Sequence, residues 1–202
     1  MSSVQVRSGS LKKEENMTLL EILEENPQLI WSNNGTLGTD KHGAHDYVNG
    51  FYNEEFKKYQ DKEINLLEIG IFTGGSLCLW SKYFTKGNIY GLDIQDIRPE
   101  EYKNLDRVTC MFVDGYQELD LPDFDIVIDD GPHSPESMIR CIELYLPKLK
   151  EGGVLVIEDL QDPSWFLILT EATPDEYKDK IQCLDIRENL GRGDDLMFII
   201  RK

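Results

Sequence analysis

Leu66-Leu-Glu-Ile-Gly-Ile-Phe-Thr-Gly-Gly-Ser76 and Ile126-Val-Ile-Asp-Asp-Gly-Pro-His133 decide the fold. The first reads as a buried strand running into a glycine turn. The second reads as a buried strand that ends in two carboxylates, a glycine and a histidine. In an open α/β sheet both ends lie on one edge, where ligands bind. The glycine turn would cradle a nucleotide. The second end offers an acid, a base and oxygen ligands for a metal. That pairing points to an enzyme rather than a bare binding module.

Working outward, apolar strands alternate with helices. Strands are expected over 64–69, 89–94, 108–113, 124–128, 154–157, 181–186 and 196–200. Helices are expected over 76–84 and 135–149, the second with Ser134 as N-cap, Pro135 at its first position and Gly152-Gly153 as its stop. Thr18-Leu-Leu-Glu21 and Thr173-Pro-Asp-Glu176 read as capping boxes opening further helices. Near-continuous apolar strands are buried on both faces, so the expected class is α/β, a doubly wound, mostly parallel seven-stranded sheet. A short helix after Thr18, a polar loop over 32–43 and an aromatic-rich helix over 45–59 precede it as a short N-terminal helical cap. The expected division is a tag or leader at 1–16 with Met17 as a native start, a cap and lid loop at 17–60, and the main domain at 61–202.

The 202 residues, 40% of them hydrophobic, suffice for one such domain and a small appendage. No apolar run approaches the roughly 20 residues that span a bilayer, and the first residues lack the apolar core of a signal peptide. The net charge of −17 makes nucleic acid and anionic membranes poor partners. Cys78, Cys110, Cys141 and Cys183 form no Cys-x-x-Cys pair, which fits a reducing cytoplasm.

In Glu68-x-Gly70-x-x-x-Gly74-Gly75-Ser76, glycine lets the backbone approach a ligand and the helix N-terminus face it. The spacing is not the Gly-x-Gly-x-x-Gly pyrophosphate fingerprint. Glu68 would repel a pyrophosphate but suit a cationic ligand or a backbone amide. Asp93 ends the second strand, where an acid can bond a ribose diol. Asp114, before Gly115, ends the third, where it could meet an adenine amino group. Each aspartate alone is also a good turn residue. Four strand ends carrying acids in sequence order are harder to assign to turns.

Asp129 and Asp130 end the fourth strand, and Glu158 and Asp159 the fifth. Parallel neighbours are about 4.8 Å apart, so these carboxylates can converge. Converging carboxylates repel unless a cation lies between them, and hard oxygen ligands favour Mg2+, Mn2+ or Ca2+ over zinc. Some of these acids can instead cap the following helix or loop. His133, on a rigid Gly-Pro turn, is placed to take a proton from a metal-polarised hydroxyl.

Leu-Leu-Glu-Ile-Gly, Tyr-Gly-Leu-Asp, Val-Asp-Gly and the Asp-Asp strand end, over residues 64–200, resemble the class I S-adenosylmethionine-dependent methyltransferases. Gly38-Thr-Asp-Lys41 with His45 and Tyr47, Ile126 to His133, and Val156-Ile-Glu-Asp-Leu160 are similar to the macrolide-sugar O-methyltransferases of the mycinamicin and demethylmacrocin type. The resemblance implies a Rossmann-like methyltransferase fold. It implies S-adenosyl-L-methionine as cofactor, on Glu68, Gly70, Gly74, Gly75, Ser76, Asp93, Asp114, Gly115, Asp129 and Lys41. It implies Mg2+ or another divalent cation on Asp130, Glu158 and Asp159, with His133 and Asp130 catalytic. The expected reaction is O-methylation of a sugar hydroxyl or small hydroxylated metabolite. Related sugar enzymes associate, which makes a homo-oligomer an open expectation. Those enzymes carry a long N-terminal domain, whose counterpart is not expected within these 202 residues, so the resemblance does not name the acceptor.

Lys41, His42, His45 and Tyr47 are expected to contact the cofactor if their segment folds over it, and are otherwise part of a solvated loop. Trp165 walls the acceptor pocket or belongs to the core, and loop 188–195 lines the acceptor site. The competing functions are a nicotinamide-dependent oxidoreductase and a catalytically idle cofactor-binding protein. An iron site of two histidines and a carboxylate would need His42 and His45 together.

Overall fold

The computed structural model describes residues 17–31 and 37–202; the expected leader lies outside the described residues. Seven strands form one sheet in the order β3-β2-β1-β4-β5-β7-β6. β1 (Asn65–Ile69), β2 (Asn88–Asp93), β3 (Val108–Phe112), β4 (Phe124–Asp129) and β5 (Leu149–Ile157) are parallel. β7 (Leu196–Arg201) runs antiparallel between β5 and β6 (Ile181–Asp185). The expected class is thus borne out. Strand order reverses between β1 and β4, and that switch point opens the crevice in which α/β sheets bind ligands.

Strand alternation divides the core. Leu66, Ile126, Ile128, Val154, Val156 and Ile199 face one cluster, and Leu67, Val127, Leu155, Ile157, Phe198 and Ile200 the other. The first cluster is covered by α1 (Leu19–Glu25), by the aromatics between Tyr47 and Tyr59, and by α3 (Gly75–Tyr83). The second is covered by α5 (Pro135–Tyr145) and α6 (Trp165–Ala172). Trp80 is fully buried against Tyr52 and Phe56, where truncation to alanine would cost about 3–5 kcal/mol.

Thr18 caps α1 through a complete capping box with Glu21. Ser134 caps α5, with Pro135 in its first turn. The second expected box does not form: Thr173 donates its hydroxyl to Leu169 O and closes α6, and a 3-10 helix, Asp175–Lys180, follows without a side-chain cap. The 45–59 helix is composite, with a π turn at Val48–Tyr52, α2 at Asn53–Glu55 and a 3-10 turn at Phe56–Tyr59. α5 stops at Tyr145, with Leu146 still helical as its C-cap, because Pro147 has no N–H to continue the hydrogen-bond ladder. Two short helices, α4 (Glu100–Lys103) and α7 (Arg187–Leu190), lie in connections. Cys183, on edge strand β6, is the one exposed cysteine. Among the described residues no helix is long and apolar enough to cross a membrane.

Candidate active site

A cavity of about 590 Å³ opens over the C-terminal ends of β1 to β4. Its walls are Ile69 to Thr73 with Gly75 and Ser76, Leu92 to Ile94, Val113 to Tyr116, Asp130 to His133, and Trp31 with Gly38 to Asp40. Gly70 has φ +82°, and a Cβ there would lie 2.0 Å from the Asp130 carbonyl oxygen. Only glycine lets β1 turn beside β4 at this point. Asp93 Oδ2 accepts from the backbone N–H groups of Ile71 (3.1 Å) and Phe72 (2.9 Å), so the end of β2 holds the glycine turn in place. Asp114 accepts from Tyr116 N at 2.9 Å and Gln117 Nε2 at 3.1 Å. Asp40, Asp93, Asp114 and Asp130 line the cavity, with no lysine or arginine among the lining residues.

Beside the cavity lie Asp130, His133 and Asp159. His133 Nε2 is 3.9 Å from Asp130 Oδ1 and 3.8 Å from Asp159 Oδ2. One ligand atom from each of the three falls within 4.8 Å of the others. Asp159 Oδ1 accepts a short hydrogen bond from the Tyr47 hydroxyl, leaving Oδ2 toward His133. Tyr47 stacks on His45 with centroids 4.9 Å apart, and His45 Nδ1 is 2.5 Å from Asp195 Oδ1. Burial and the Asp159 charge push the Tyr47 hydroxyl far above its ordinary pKa, so it stays a donor.

Gly70, Gly75, Ser76, Asp93, Asp114, Gly115, Asp130 and His133 all line the cavity. Four assigned cofactor residues do not. Lys41 is buried, and its ammonium meets Glu68, Asp130 and Glu158. Glu68 lies beneath the turn, accepting from Ser76 Oγ at 2.8 Å and Trp80 Nε1 at 3.1 Å. Gly74 caps α3 in the left-handed region and faces Arg98. Asp129 does not line the cavity; its Oδ1 accepts from the Tyr116 hydroxyl at 2.5 Å, and the Cys141 thiol also lies against its carboxylate. Burial raises the Asp129 carboxyl to about 7, against the opposing bond from Tyr116.

Glu158, assigned to the metal, stands apart from Asp159. Its Oε1 accepts from the Tyr52 hydroxyl at 2.6 Å, and its Oε2 takes the Lys41 ammonium. Burial pushes its carboxyl up to about 8, against the pull of Lys41. Among the described residues no candidate metal group contains two histidines, so the iron triad is not assembled.

The segment 39–47, read from sequence as a lid, divides in the structure. Thr39 and Asp40 wall the cavity, but Lys41, His45 and Tyr47 are buried beneath it. Trp165 packs on the second core cluster, and residues 185–193 line a separate shallow cavity of about 530 Å³. Sequence reasoning missed Trp31, Phe72, Tyr52, Tyr116 and the contact of Asp195 with His45. Tyr116 follows Asp114-Gly115 directly and could have been found from that adjacency. Tyr52 lies at helical spacing among core aromatics, so nothing in the pattern marks its hydroxyl.

Residues 67–160 match the model of a methyltransferase domain family. The 8-demethyl-8-α-L-rhamnosyl tetracenomycin-C 2'-O-methyltransferase of Streptomyces olivaceus is 34% identical over 139 residues, 63% of this chain and 36% of that protein. The demethylmacrocin O-methyltransferase of Streptomyces fradiae is 35% identical over 141 residues, covering 63% of this chain and 35% of its own length. The chain thus spans about a third of the length of these curated relatives. A solved structure of the MycE methyltransferase from the mycinamycin biosynthetic pathway, in complex with Mg and SAH, superposes with a TM-score of 0.67 at 25% identity. That match covers 93% of this chain and 55% of the other. The resemblance to class I methyltransferases, and among them to macrolide-sugar O-methyltransferases, is borne out.

Proposed function

We propose, for a chain whose residues 67–160 carry a methyltransferase domain related to the macrolide-sugar O-methyltransferases, that it methylates a hydroxyl of a sugar or small hydroxylated metabolite. S-adenosylmethionine would be the donor and a divalent cation the assistant. In the same reading residues 61–202 form the cofactor-binding unit, with 17–60 as its cap. The observation that carries the reading is the cavity beside the glycine turn, lined, among the described residues, by four aspartates and by no lysine or arginine. A sulfonium and an ammonium suit that lining, whereas the pyrophosphate of a nicotinamide dinucleotide would be repelled. The relatives' named activities, and the Mg and SAH of the MycE structure, support it further.

The residues fit both groups. The cavity volume lies in the usual range for small-molecule sites, about 300–1,000 Å³. Asp130 and Asp159 offer the hard oxygens that Mg2+ prefers, within reach of His133. When bound, the donor supplies an electrophilic methyl on sulfur and the cation a Lewis acid for the acceptor oxygen. The chain's own residues do the rest. Asp93 and the turn it braces would hold the donor, together with Asp114 and Tyr116 in the same cavity wall. Asp130 and Asp159 would hold the cation, and His133 Nε2 would take the proton the acceptor hydroxyl gives up. Most of the rate enhancement would come from this positioning.

Calorimetric titration of S-adenosylhomocysteine into the purified chain, with and without Mg2+, tests the reading. Micromolar binding is expected. No heat of binding under either condition would sink it.

A further inference from the structure

Lys41 is 1% exposed, and its ammonium lies among carboxylates from the ends of three strands. Glu68 Oε1 at the end of β1 is 3.3 Å away, Asp130 Oδ2 after β4 is 2.7 Å away, and Glu158 Oε2 after β5 is in short contact. An ammonium has three donors and no acceptor; Asp130 and Glu158 each take one in a hydrogen bond, and Glu68 Oε1 adds an ion pair. Asp130 and Glu158 are also two of the three carboxylates assigned to the divalent cation.

Lys41 and a divalent ion cannot both occupy the space between Asp130 and Glu158. Ion–oxygen bonds of about 2.1 Å for Mg2+ would put the ion against an ammonium already in contact with the same oxygens. Two cations so close repel strongly where little water screens them. We propose that Lys41 is the resident cation of this carboxylate cluster, and that a divalent ion held jointly by Asp130 and Glu158 enters by exchange with it. The inference rests on the metal-assisted reading and deepens it. One of the cluster's three negative charges is balanced before any ion arrives, and ion binding is correspondingly weaker. An ion held by Asp130 and Asp159 without Glu158 would leave Lys41 in place, so the two arrangements are separable.

The test uses Mn2+ alone, without donor or acceptor, with free Mn2+ read by electron paramagnetic resonance on the whole chain and on Lys41→Met. Exchange requires the variant to bind Mn2+ at least tenfold more tightly, and Mn2+ to raise its Tm more than it raises that of the parent. Equal or weaker binding by the variant would overturn the exchange while leaving the metal reading standing. No Mn2+ binding by either protein would remove the metal reading and the exchange together, and S-adenosylhomocysteine titration would still report on the donor site. Should Lys41→Met fail to fold, 15N-lysine spectra of the parent decide. The Lys41 ammonium signal must move as Mg2+ saturates, and a signal that stays put overturns the proposal.

Discussion

His133 and Asp159 face each other at 3.8 Å, and both hold a positive φ, 52° and 57°. Side chains other than glycine's disfavour this backbone, which persists only where the surroundings impose it. Around His133 those are the Gly131-Pro132 turn and the Ser134 cap of α5. Around Asp159 they are the Tyr47 hydroxyl and the bond from Leu160 N to Leu196 O at 3.2 Å. Two strained residues aimed at one another mark the place where the chemistry is expected.

His133→Ala should therefore lower methyl transfer by about 10²–10⁴-fold, the usual worth of a positioned base. Its affinity for S-adenosylhomocysteine should stay within a few-fold, because the glycine turn and Asp93 are untouched. A single-turnover assay beside calorimetry separates the two. A rate within tenfold of the parent would remove His133 as the base.

Tyr47→Phe deletes the donor that orients Asp159. Partners behind a metal ligand are typically worth about 10–100-fold in metal affinity. The Mn2+ dissociation constant should rise by that order, with donor binding unchanged because Tyr47 does not line the cavity. Unaltered Mn2+ binding would show that Asp159 needs no such hold.

Asp93→Ala removes the acceptor for the Ile71 and Phe72 amides. Hydrogen bonds to a charged group contribute about 1.5–3 kcal/mol, or about 10–100-fold in affinity. S-adenosylhomocysteine should weaken by that factor, with Asp93→Asn in between. Parent-like affinity in Asp93→Ala would mean that the turn holds its shape unaided.

Asp129 gives a pH dependence with a definite sign. Its folded carboxyl titrates at about 7, and an unfolded aspartate at about 3.9. Between those values the folded state keeps a proton that the unfolded state has released. The stability from this group is complete below about pH 4 and is lost as pH rises through 7. A carboxamide in its place never ionises and can still accept from Tyr116. Asp129→Asn should thus gain Tm over the parent between pH 5 and pH 8, by roughly 2–4 °C for each kcal/mol. A Tm difference that is flat with pH would contradict this assignment.

The sheet was legible because its strands are apolar on both faces, a pattern that leaves little besides a covered parallel sheet. The glycine turn and the strand-end acids followed, since their chemistry is written in adjacent residues. Which acid does what was less legible. Asp129 and Asp130 are neighbours in sequence, yet one lies with Tyr116 and the other with Lys41 and His133. Lys41 lies 89 positions from Asp130 and 117 from Glu158, a juxtaposition no local pattern reveals. The failed capping box at Thr173 shows the same limit at short range, where closing the preceding helix satisfied the hydroxyl first.

Cys183 offers a practical opening. Cys78 and Cys141 are buried, Cys110 is half-buried beside Arg98, and Cys183 alone stands exposed, at the sheet edge opposite β3. A maleimide fluorophore or nitroxide would react there first, with β7 and β5 separating it from β4 and the cavity. The native chain thus has a built-in attachment point from which donor and cation binding can be watched without engineering the site that is being watched.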